Sequence, residues 1–492
     1  MSFDEYSSYD GLGLADLVRR KEVSPGELVE AAIERVEKLD GQLNAVVYRA
    51  WDEARRVASG PLPDGPFRGV PLLIKDLWTP VAGMPRTSGS RFLATEVTPE
   101  DGELTRRYRA AGVVILGKTN TPEFGITGTT ESAQLGACRN PWNPDHIAGG
   151  SSGGAAASTA SGMVPMAHGG DGLGSIRIPA ACCGLFGMKP TRDRNPNSSI
   201  ATGSSISTGS GLDYSPDRDR VTGMAVDHVL TRSVRDSAAM LDATGYPEAD
   251  SPYAPPPKER PYLEELTRPV GRLRIAFSSA TPSGRPIDGE VRSALEDSAA
   301  LLQELGHDVF ERDIELDYRR FYRAQGAIGA SNSACNVADM IERMGREPEE
   351  HEFEPLTWAG VRLGRKLRGQ VVMEAWRTQR TLSRQILRFF DDVDVLLTPV
   401  MGTAPPRIGH IDPVNLDPVE VNRRQARIFP FTPPFNTTGQ PGMSVPLAWS
   451  ADGLPIGMQF VGRYGDEATL FRLAGQLEAA RPWRDRRPAV WG

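Results

Sequence analysis

Short apolar runs alternate with helical patterns along most of this chain, and that alternation constrains the fold more than any other feature. The clearest helical pattern begins at Ser24, with Pro25 at the first helical position and Glu27 completing a capping box. Strands separated by helices predict an α/β protein with a large sheet inside layers of helices. Four apolar runs bounded by turn formers are typical of buried strands: residues 69–78, 112–117, 273–278 and 393–400.

Two segments interrupt the alternation. Residues 195–216 are polar and rich in glycine and serine, which predicts a surface loop. The composition also shifts over residues 245–260, where prolines and charged residues indicate a surface connection. Because helices and strands alternate again on both sides of that connection, we predict a single domain over residues 1–492.

The charge balance argues against nucleic acid and against an acidic membrane surface as partners. The chain has 56 Lys and Arg against 63 Asp and Glu, a net charge of −7, and no basic block. No apolar run reaches the roughly 18 residues that cross a bilayer, and the N-terminus lacks a signal-peptide pattern. We therefore expect a cytoplasmic protein with no nucleic-acid or membrane partner.

The cysteines predict neither a disulfide framework nor a metal site. The four are scattered, and two of them are adjacent: Cys138, Cys182, Cys183 and Cys335. No group of His, Cys, Asp and Glu has the spacing of metal ligands. We expect no metal and no other cofactor.

Residues 112–119 match the phosphate-loop pattern GxxxxGK[ST] in letters. A phosphate loop needs small, flexible residues whose N–H groups turn inward, and a helix that starts at the lysine. Four apolar residues fill this interior instead, which favours a buried strand with Lys118 as a structural residue at its end. The next helix is expected after Thr121, with Pro122 in its first turn. Nucleotide binding is therefore not the favoured interpretation.

Residues 146–162, HIAGGSSGGAAASTASG, hold two overlapping GxSxG patterns centred on Ser151 and Ser152. In α/β-hydrolases this pattern is a strand–turn–helix elbow, but residues 139–148 contain two prolines and no strand-like run. The elbow stays the weaker alternative. It would also need a histidine as its base, and none of the five candidates has a distinctive sequence context: His168, His228, His307, His351 and His410.

A third interpretation takes the serine-rich segment together with two others. Lys75 stands alone among apolar residues, and Ser175 follows three flexible positions within residues 169–192. Each feature alone has an ordinary explanation, since glycine clusters form turns and long lysine side chains reach the surface. A backbone that can curl before a serine, however, can aim several N–H groups at one point, as an oxyanion hole requires.

Taken together, these segments resemble the amidase signature family. The resemblance implies a large mixed β-sheet covered on both faces by α-helices. It also implies a helical segment over about residues 1–60, a signature core over about 66–240, and a remainder that completes the sheet and the pocket. The matching motifs run in family order from about residue 66 to 462: GVPLLIKD, GKTNTPEF, RNPWN, GGSSGG, DGLGSIRIPAACCGLFGMKPTR, LTRSVRD, PFNTTGQPGMSVP and GLPIGMQFVG.

The family's Ser–Ser–Lys triad can be carried over motif by motif. Ser175 would be the nucleophile, Ser151 the bridging serine after a cis peptide bond, and Lys75 the base. The oxyanion would be bound by the backbone N–H groups of four residues: Gly172, Leu173, Gly174 and Ser175. Three further residues match supporting positions: Ser152, Asp171 and Arg177.

This chain departs from the usual family pattern at two places. The common nucleophile loop reads D-I-G-G-S, whereas here Leu173 replaces a glycine beside the expected oxyanion hole. After KPTR the family usually has glycine, and this chain has Asp193 followed by the serine- and glycine-rich loop. The form of the nucleophile loop looks like that of enzymes that open cyclic nylon dimers and of broad-specificity bacterial amidases.

The implied chemistry needs a neutral lysine, because a serine hydroxyl is a poor nucleophile without a base. Burial among the leucines and isoleucine beside Lys75 disfavours its charged form. Side chains alternate along a strand, so Asp76 should point away from Lys75 and leave the amine without that counter-charge.

We therefore expect an amidase that takes a small-molecule amide and forms an acyl-enzyme. Aryl and aliphatic amides, cyclic or linear oligoamides, esters and carbamates are all conceivable substrates, and the chain would act as a monomer or homodimer. An alternative is a glutaminase-type subunit that supplies ammonia within an amidotransferase complex. A binding protein without catalysis is a third, and the intact triad argues against it.

Overall fold

The computed structural model describes residues 5–196, 223–246, 248 and 254–492, and a single large sheet organises them. In this part of the chain the α-helices are α1 (Gly11–Arg19), α2 (Pro25–Leu43), α3 (Trp51–Ser59), α4 (Glu103–Ala110), α5 (Gly153–Ala160), α6 (Arg177–Cys183), α7 (Val234–Thr244), α8 (Tyr262–Glu265), α9 (Gly289–Glu304), α10 (Tyr318–Met344), α11 (Pro355–Gly364), α12 (Gly369–Phe389), α13 (Pro418–Ile428), α14 (Pro433–Thr438) and α15 (Glu467–Ala480).

Short 3-10 helices and the strands complete these elements. The 3-10 helices are Tyr6–Ser8, Arg91–Leu93, Glu123–Gly125 and Glu350–Glu352. The strands are β1 (Val46–Arg49), β2 (Pro71–Lys75), β3 (Val114–Thr119), β4 (Glu131–Ser132), β5 (Gly136–Ala137), β6 (Met166–Asp171), β7 (Phe186–Lys189), β8 (Val226–Thr231), β9 (Arg274–Phe277), β10 (Asp308–Glu311), β11 (Val395–Pro399), β12 (Gly442–Trp449) and β13 (Pro455–Gly462).

The main sheet has eleven strands in the order β1-β3-β2-β6-β8-β7-β12-β13-β11-β9-β10 among the described residues. Strands β2, β3 and β6 are parallel neighbours, as are β9, β10 and β11. The remaining pairs, including β6 with β8 and β12 with β13, are antiparallel. Helices pack on both faces, which confirms the predicted α/β class and the mixed sheet.

The four predicted strands all form; three are shorter than their apolar runs, and β3 has the length of its run but lies two residues further along the chain. They are β2, β3, β9 and β11, and every residue of β2, β3 and β11 is buried. The capping box of α2 is also confirmed, because the Ser24 hydroxyl accepts from the Glu27 N–H while the Glu27 carboxylate accepts from the Ser24 N–H. One sheet running through the described residues is consistent with a single domain over 1–492, which stays a prediction.

The phosphate-loop pattern lies within a strand. Lys118 is a fully buried residue of β3, and its Nζ donates to Thr79 O at 2.9 Å. Burial lowers the pKa of Lys118 to about 8. The predicted helix after Thr121 forms only as the single 3-10 turn Glu123–Gly125, preceded by Pro122. No cradle of inward N–H groups with a helix starting at the lysine is built here.

Residues 197–222, 247 and 249–253 lie outside the described residues, so they take in most of the predicted loop at 195–216 and a smaller part of the predicted connection at 245–260. Within the described ranges, none of the helices has the length and apolar character needed to cross a bilayer. Three of the cysteines are buried, and Cys335 on α10 is exposed.

The strands that carry Lys75 and Asp171, β2 and β6, end at the same edge of the sheet. Strands β2 and β6 are parallel neighbours, with Leu73 paired to Ala167. Since parallel strands end at the same edge of a sheet, the final residues of β2 and β6, Lys75 and Asp171, lead into loops on the same side.

Candidate active site

Lys75 ends β2 with its Nζ atom inside the protein. The residue is 1% exposed, and its Nζ lies 2.7 Å from Ser151 Oγ and 3.0 Å from Ser152 Oγ. The Gly170 carbonyl is a third partner at 3.3 Å. The backbone N–H of Lys75 donates to His168 Nδ1 at 3.3 Å. The structure therefore brings the predicted base and two predicted serines into direct contact in a buried setting.

Asp76 points to the opposite side of the strand, as alternation predicts. Its carboxylate accepts from the N–H of Thr87 at 3.1 Å and from the Thr87 hydroxyl at 2.5 Å. Burial raises the pKa of Asp76, and the charge of Lys118 offsets part of that rise. The Asp76 carboxylate is therefore hydrogen-bonded to Thr87, with Lys118 as a nearby positive charge.

The turn before Ser151 requires glycine at two successive positions. Gly149 has φ +77°, and a Cβ there would lie 2.7 Å from Pro179 Cα. A Cβ on Gly150 would lie 2.5 Å from Thr129 O, and the Gly150–Ser151 peptide bond is cis. The glycines therefore allow close backbone approach around Ser151, and α5 begins two residues later.

The strand–turn–helix elbow of α/β-hydrolases is not present. Residues 139–150, all of them described, form isolated bridges but no strand. Of the five histidines that this elbow could have used, His168, His228 and His307 are buried and the other two are exposed.

The loop that carries Ser175 is braced by the carboxylate of Asp171. This carboxylate accepts from the N–H groups of Gly174 at 2.7 Å and Ile176 at 3.2 Å. Arg177 at the start of α6 donates to it through Nε and Nη2, both at 2.9 Å. Both side chains of this pair are fully buried. Burial by itself would raise the pKa of Asp171, but the charge and hydrogen bonds of Arg177 hold it well below its usual range.

Three residues from the last part of the chain complete this brace. Arg177 Nη1 donates to Gln459 Oε1 at 2.6 Å, and Nη2 donates to Asn436 Oδ1 at 2.6 Å. Thr432 Oγ1 donates to Leu173 O at 2.6 Å. No motif predicted that these residues brace the Ser175 loop, although Asn436 and Gln459 lie inside the matched motifs PFNTTGQPGMSVP and GLPIGMQFVG.

The expected oxyanion donors divide into two groups. The Gly174 N–H donates to Asp171 Oδ1 at 2.7 Å, so its predicted role as an oxyanion donor would require it to leave or share this bond. The N–H groups of Gly172, Leu173 and Ser175 make no hydrogen bond to any described residue. Leu173 has no left-handed φ, so the loop accepts leucine in place of glycine, whereas Gly174 has φ +131°.

Ser175 lies between β6 and α6 and is 9% exposed. Its hydroxyl makes no hydrogen bond to Ser151 or to any other described residue. The two segments nevertheless touch, because Pro179 of α6 packs on Gly149, two residues before Ser151. Catalytic hydrogen bonds are often long before substrate binds and shorten in the complex with substrate.

No group of three or more His, Cys, Asp and Glu side chains in the described ranges is arranged to hold a metal ion. The site is built from hydroxyl groups, one amine and backbone N–H groups. Such groups can activate a serine, bind a developing negative charge and return a proton to a leaving group.

Most of the chain matches one known family. The family model described as Amidase covers residues 27–471. The chain belongs to the amidase family. It is therefore an enzyme that hydrolyses C–N amide bonds, and the resemblance drawn from its motifs is confirmed.

Individual relatives agree with the family match. A 6-aminohexanoate-cyclic-dimer hydrolase from Paenarthrobacter ureafaciens is 36% identical over 493 residues, covering 98% of this chain and 96% of that enzyme. A solved 6-aminohexanoate cyclic dimer hydrolase complexed with substrate has a TM-score of 0.90 at 35% identity, covering 99% of this chain and 100% of that one. A bacterial aryl acylamidase of the amidase signature family has a TM-score of 0.83 at 27% identity, covering 96% of both chains.

Proposed function

We propose that this amidase works through an acyl-enzyme on Ser175, with Ser151 carrying the proton between Ser175 and Lys75. The observation that carries the proposal is the 2.7 Å contact between Lys75 Nζ and Ser151 Oγ in a buried setting. A lysine held there against a hydroxyl is placed to accept a proton when its amine is neutral. Ser152, which contacts the same Nζ at 3.0 Å, keeps the amine oriented.

The proposed cycle has two halves. Ser175 Oγ bonds to the amide carbonyl carbon while its proton passes through Ser151 to Lys75. The C–N bond then breaks, and the proton from Lys75 returns through Ser151 to the departing amine. Water, activated by the same relay, attacks the acyl-enzyme and releases the carboxylic acid.

The negative charge that develops on the substrate's carbonyl oxygen needs N–H donors that are not already bonded to another acceptor. We assign this role to the N–H groups of Gly172, Leu173 and Ser175, because Gly174 is bound to Asp171. The Asp171–Arg177 pair holds the loop in the conformation that presents these donors.

The experiment is intact-protein mass spectrometry after incubation with a panel of amides, esters and carbamates, combined with rates of hydrolysis. Ser175→Ala is expected to abolish the acyl adduct and lower kcat at least about a thousandfold, and Lys75→Ala to do nearly the same. His410→Ala, at an exposed histidine, is the control and should keep wild-type rates. A histidine variant as damaged as Lys75→Ala, or an adduct that persists in Ser175→Ala, would contradict the relay.

The names of the relatives suggest the first substrates for this panel. We propose cyclic or linear oligoamides and aryl amides, followed by esters and carbamates. The family match favours direct amide hydrolysis over the ammonia-supplying alternative. A cytoplasmic location, a monomeric or homodimeric state and the absence of a nucleic-acid partner stay predictions.

A further inference from the structure

A cleft at the C-terminal end of α6 collects arginine side chains. Four of its twelve lining residues are arginines, and none of the twelve is acidic. The arginines are Arg232, Arg484, Arg486 and Arg487. The lining residues leave about 280 Å³ of space between them, part of it open to solvent, which suits a small molecule. The cleft therefore concentrates positive charge on a chain whose net charge is −7.

The cleft is separate from the candidate relay. Ser175 lies two residues before α6 begins at Arg177, whereas Cys183, the last residue of that helix, lines the cleft. The seven residues of α6 span roughly 10 Å. None of Lys75, Ser151 and Ser175 lines the cleft. A ligand bound in the cleft would therefore leave the candidate relay unoccupied.

The protein itself supplies little close counter-charge to these arginines. Within the described ranges, the only carboxylate within 4 Å of any of the four is that of Asp485, which lies 3.7 Å from Arg484, and both side chains are exposed. Arg232 Nη2 donates to Tyr9 O at 2.6 Å, while its Nη1 is buried and makes no hydrogen bond to any described residue. Burial lowers the pKa of Arg232 to about 10, and the charge of Arg487 contributes to the fall. A bound anion would offset this repulsion.

Tryptophan side chains give the same cleft an apolar surface. Trp142, Trp483 and Trp491 all line it, and Trp142 and Trp491 are partly exposed. The indole N–H of Trp142 donates to Cys183 O at 2.8 Å, and that of Trp483 donates to Arg232 O at 2.9 Å. Because these two N–H groups are already bonded, the two rings offer a ligand apolar area rather than hydrogen bonds.

Aromatic rings also orient two of the guanidinium groups. Arg487 Cζ lies 4.2 Å from the ring centroid of Trp491, and Arg486 Cζ lies 4.1 Å from the ring centroid of Trp449. Cation–π contacts of this kind restrict the movement of a long side chain. The two arginines therefore lose less conformational entropy when they bind an anion than freely moving surface arginines would.

We propose that this cleft is a binding site for a small organic anion that carries a phosphate or carboxylate group on a flat aromatic part. The guanidinium groups supply paired N–H donors that match the oxygens of either anionic group. The partly exposed rings of Trp142 and Trp491 cover the aromatic part. The proposal goes beyond the proposed function, because no residue of the relay takes part in it.

The test is isothermal titration calorimetry of the full-length protein at low ionic strength, where screening is weak. Phenyl phosphate and benzoate combine an anionic group with a ring, inorganic phosphate has no ring, and phenol is uncharged at neutral pH. At least one of the two aromatic anions is expected to bind about tenfold more tightly than inorganic phosphate and phenol do. The tighter of the two identifies the anionic group. No binding of either, or equally tight binding of inorganic phosphate, would overturn the proposal.

Variants locate the binding. Arg486→Gln and Arg487→Gln, at two exposed positions, are each expected to weaken binding of the tighter probe about tenfold, because each removes a charged donor. Arg423→Gln is the control, since Arg423 is exposed, lies outside the cleft lining and binds Glu420 at 2.7 Å. It removes the same charge and should keep wild-type affinity. Unchanged affinity in both cleft variants, or an equal loss in Arg423→Gln, would overturn the proposal.

Activity gives an independent readout. Arg486→Gln and Arg487→Gln should keep wild-type kcat on an amide that the enzyme turns over, because neither residue contacts the relay. Variants that lose the probe and kcat together would contradict a separate site. Ser175→Ala should bind the probe as tightly as wild type does, so failure of the proposed relay and failure of this proposal are distinguished by different measurements.

Discussion

Removal of the charge on Asp171 should destabilise the protein far more than an ordinary salt-bridge mutation. Asp171 and Arg177 are fully buried, and the carboxylate also accepts from the N–H groups of Gly174 and Ile176. In Asp171→Asn the guanidinium stays buried without its counter-charge, and breaking one side of a buried pair costs about 3–5 kcal/mol. The equilibrium constant for unfolding should therefore rise at least a hundredfold, since about 1.4 kcal/mol corresponds to a factor of ten.

The assay is urea unfolding followed by tryptophan fluorescence, together with kcat on a substrate that the wild-type enzyme turns over. Because the pKa of Asp171 is held below its usual range, its contribution is complete above about pH 4 and is lost only as the pH falls further. The difference between Asp171→Asn and wild type should thus be constant from pH 6 to 8. We also expect kcat to fall, since the brace positions the loop that carries Ser175.

The chain offers a matched control on its surface. Arg55 binds Glu30 with the same two-bond geometry, at 2.6 and 2.9 Å, but both side chains are nearly half exposed. Glu30→Gln should therefore change the free energy of unfolding by less than about 1 kcal/mol. An Asp171→Asn protein within about 1 kcal/mol of wild type, or one no less stable than Glu30→Gln, would refute the reasoning.

Two further predictions concern buried groups near the site. Burial, together with the charge of Glu123, raises the pKa of Glu354 to about 8. The folded protein therefore keeps a proton on Glu354 that the unfolded chain releases near pH 4.3. Because the folded state binds this proton more tightly, the free energy of unfolding should fall as the pH rises from about 5 to 8. Urea midpoints measured across this range should fall less steeply in Glu354→Gln, and an unchanged slope would contradict the assignment. Gly174→Ala should lower kcat at least tenfold, because its Cβ would lie 2.3 Å from Thr432 Oγ1 at φ +131°. Gly41→Ala on α2, with nothing within 4 Å, should keep wild-type kcat and gain up to about 1 kcal/mol of stability, and equal kcat values for the two variants would contradict the steric argument.

The predictable parts of this molecule are those that depend on neighbours in sequence. The capping box at Ser24 involves residues three positions apart, and the strand that buries Lys75 follows from its apolar run. Alternation along β2 also gave the direction of Asp76 correctly. The contacts of Thr432 and Gln459 with the Ser175 loop could not be deduced in this way, because they join residues more than 250 positions apart.

The loop from Gly172 to Ser175 shows the same limit for residues that are close together in sequence. The motif identified Gly172 to Ser175 as a group, but it could not tell which N–H would be taken by Asp171. That choice depends on the side-chain position of Asp171, which Arg177 and Asn436 determine. Single-residue assignments inside a motif therefore need the packing around it.

Arg177 ties the timing of activity to the synthesis of the chain. Its guanidinium reaches Thr432, Asn436 and Gln459, which leave the ribosome 255 to 282 residues after Arg177 itself. Until then the segment bearing Ser175 lacks three of the partners that hold Arg177 in the finished protein. If Ser175 is the nucleophile, as proposed, we expect a growing chain to hydrolyse amides only after Gln459 has emerged.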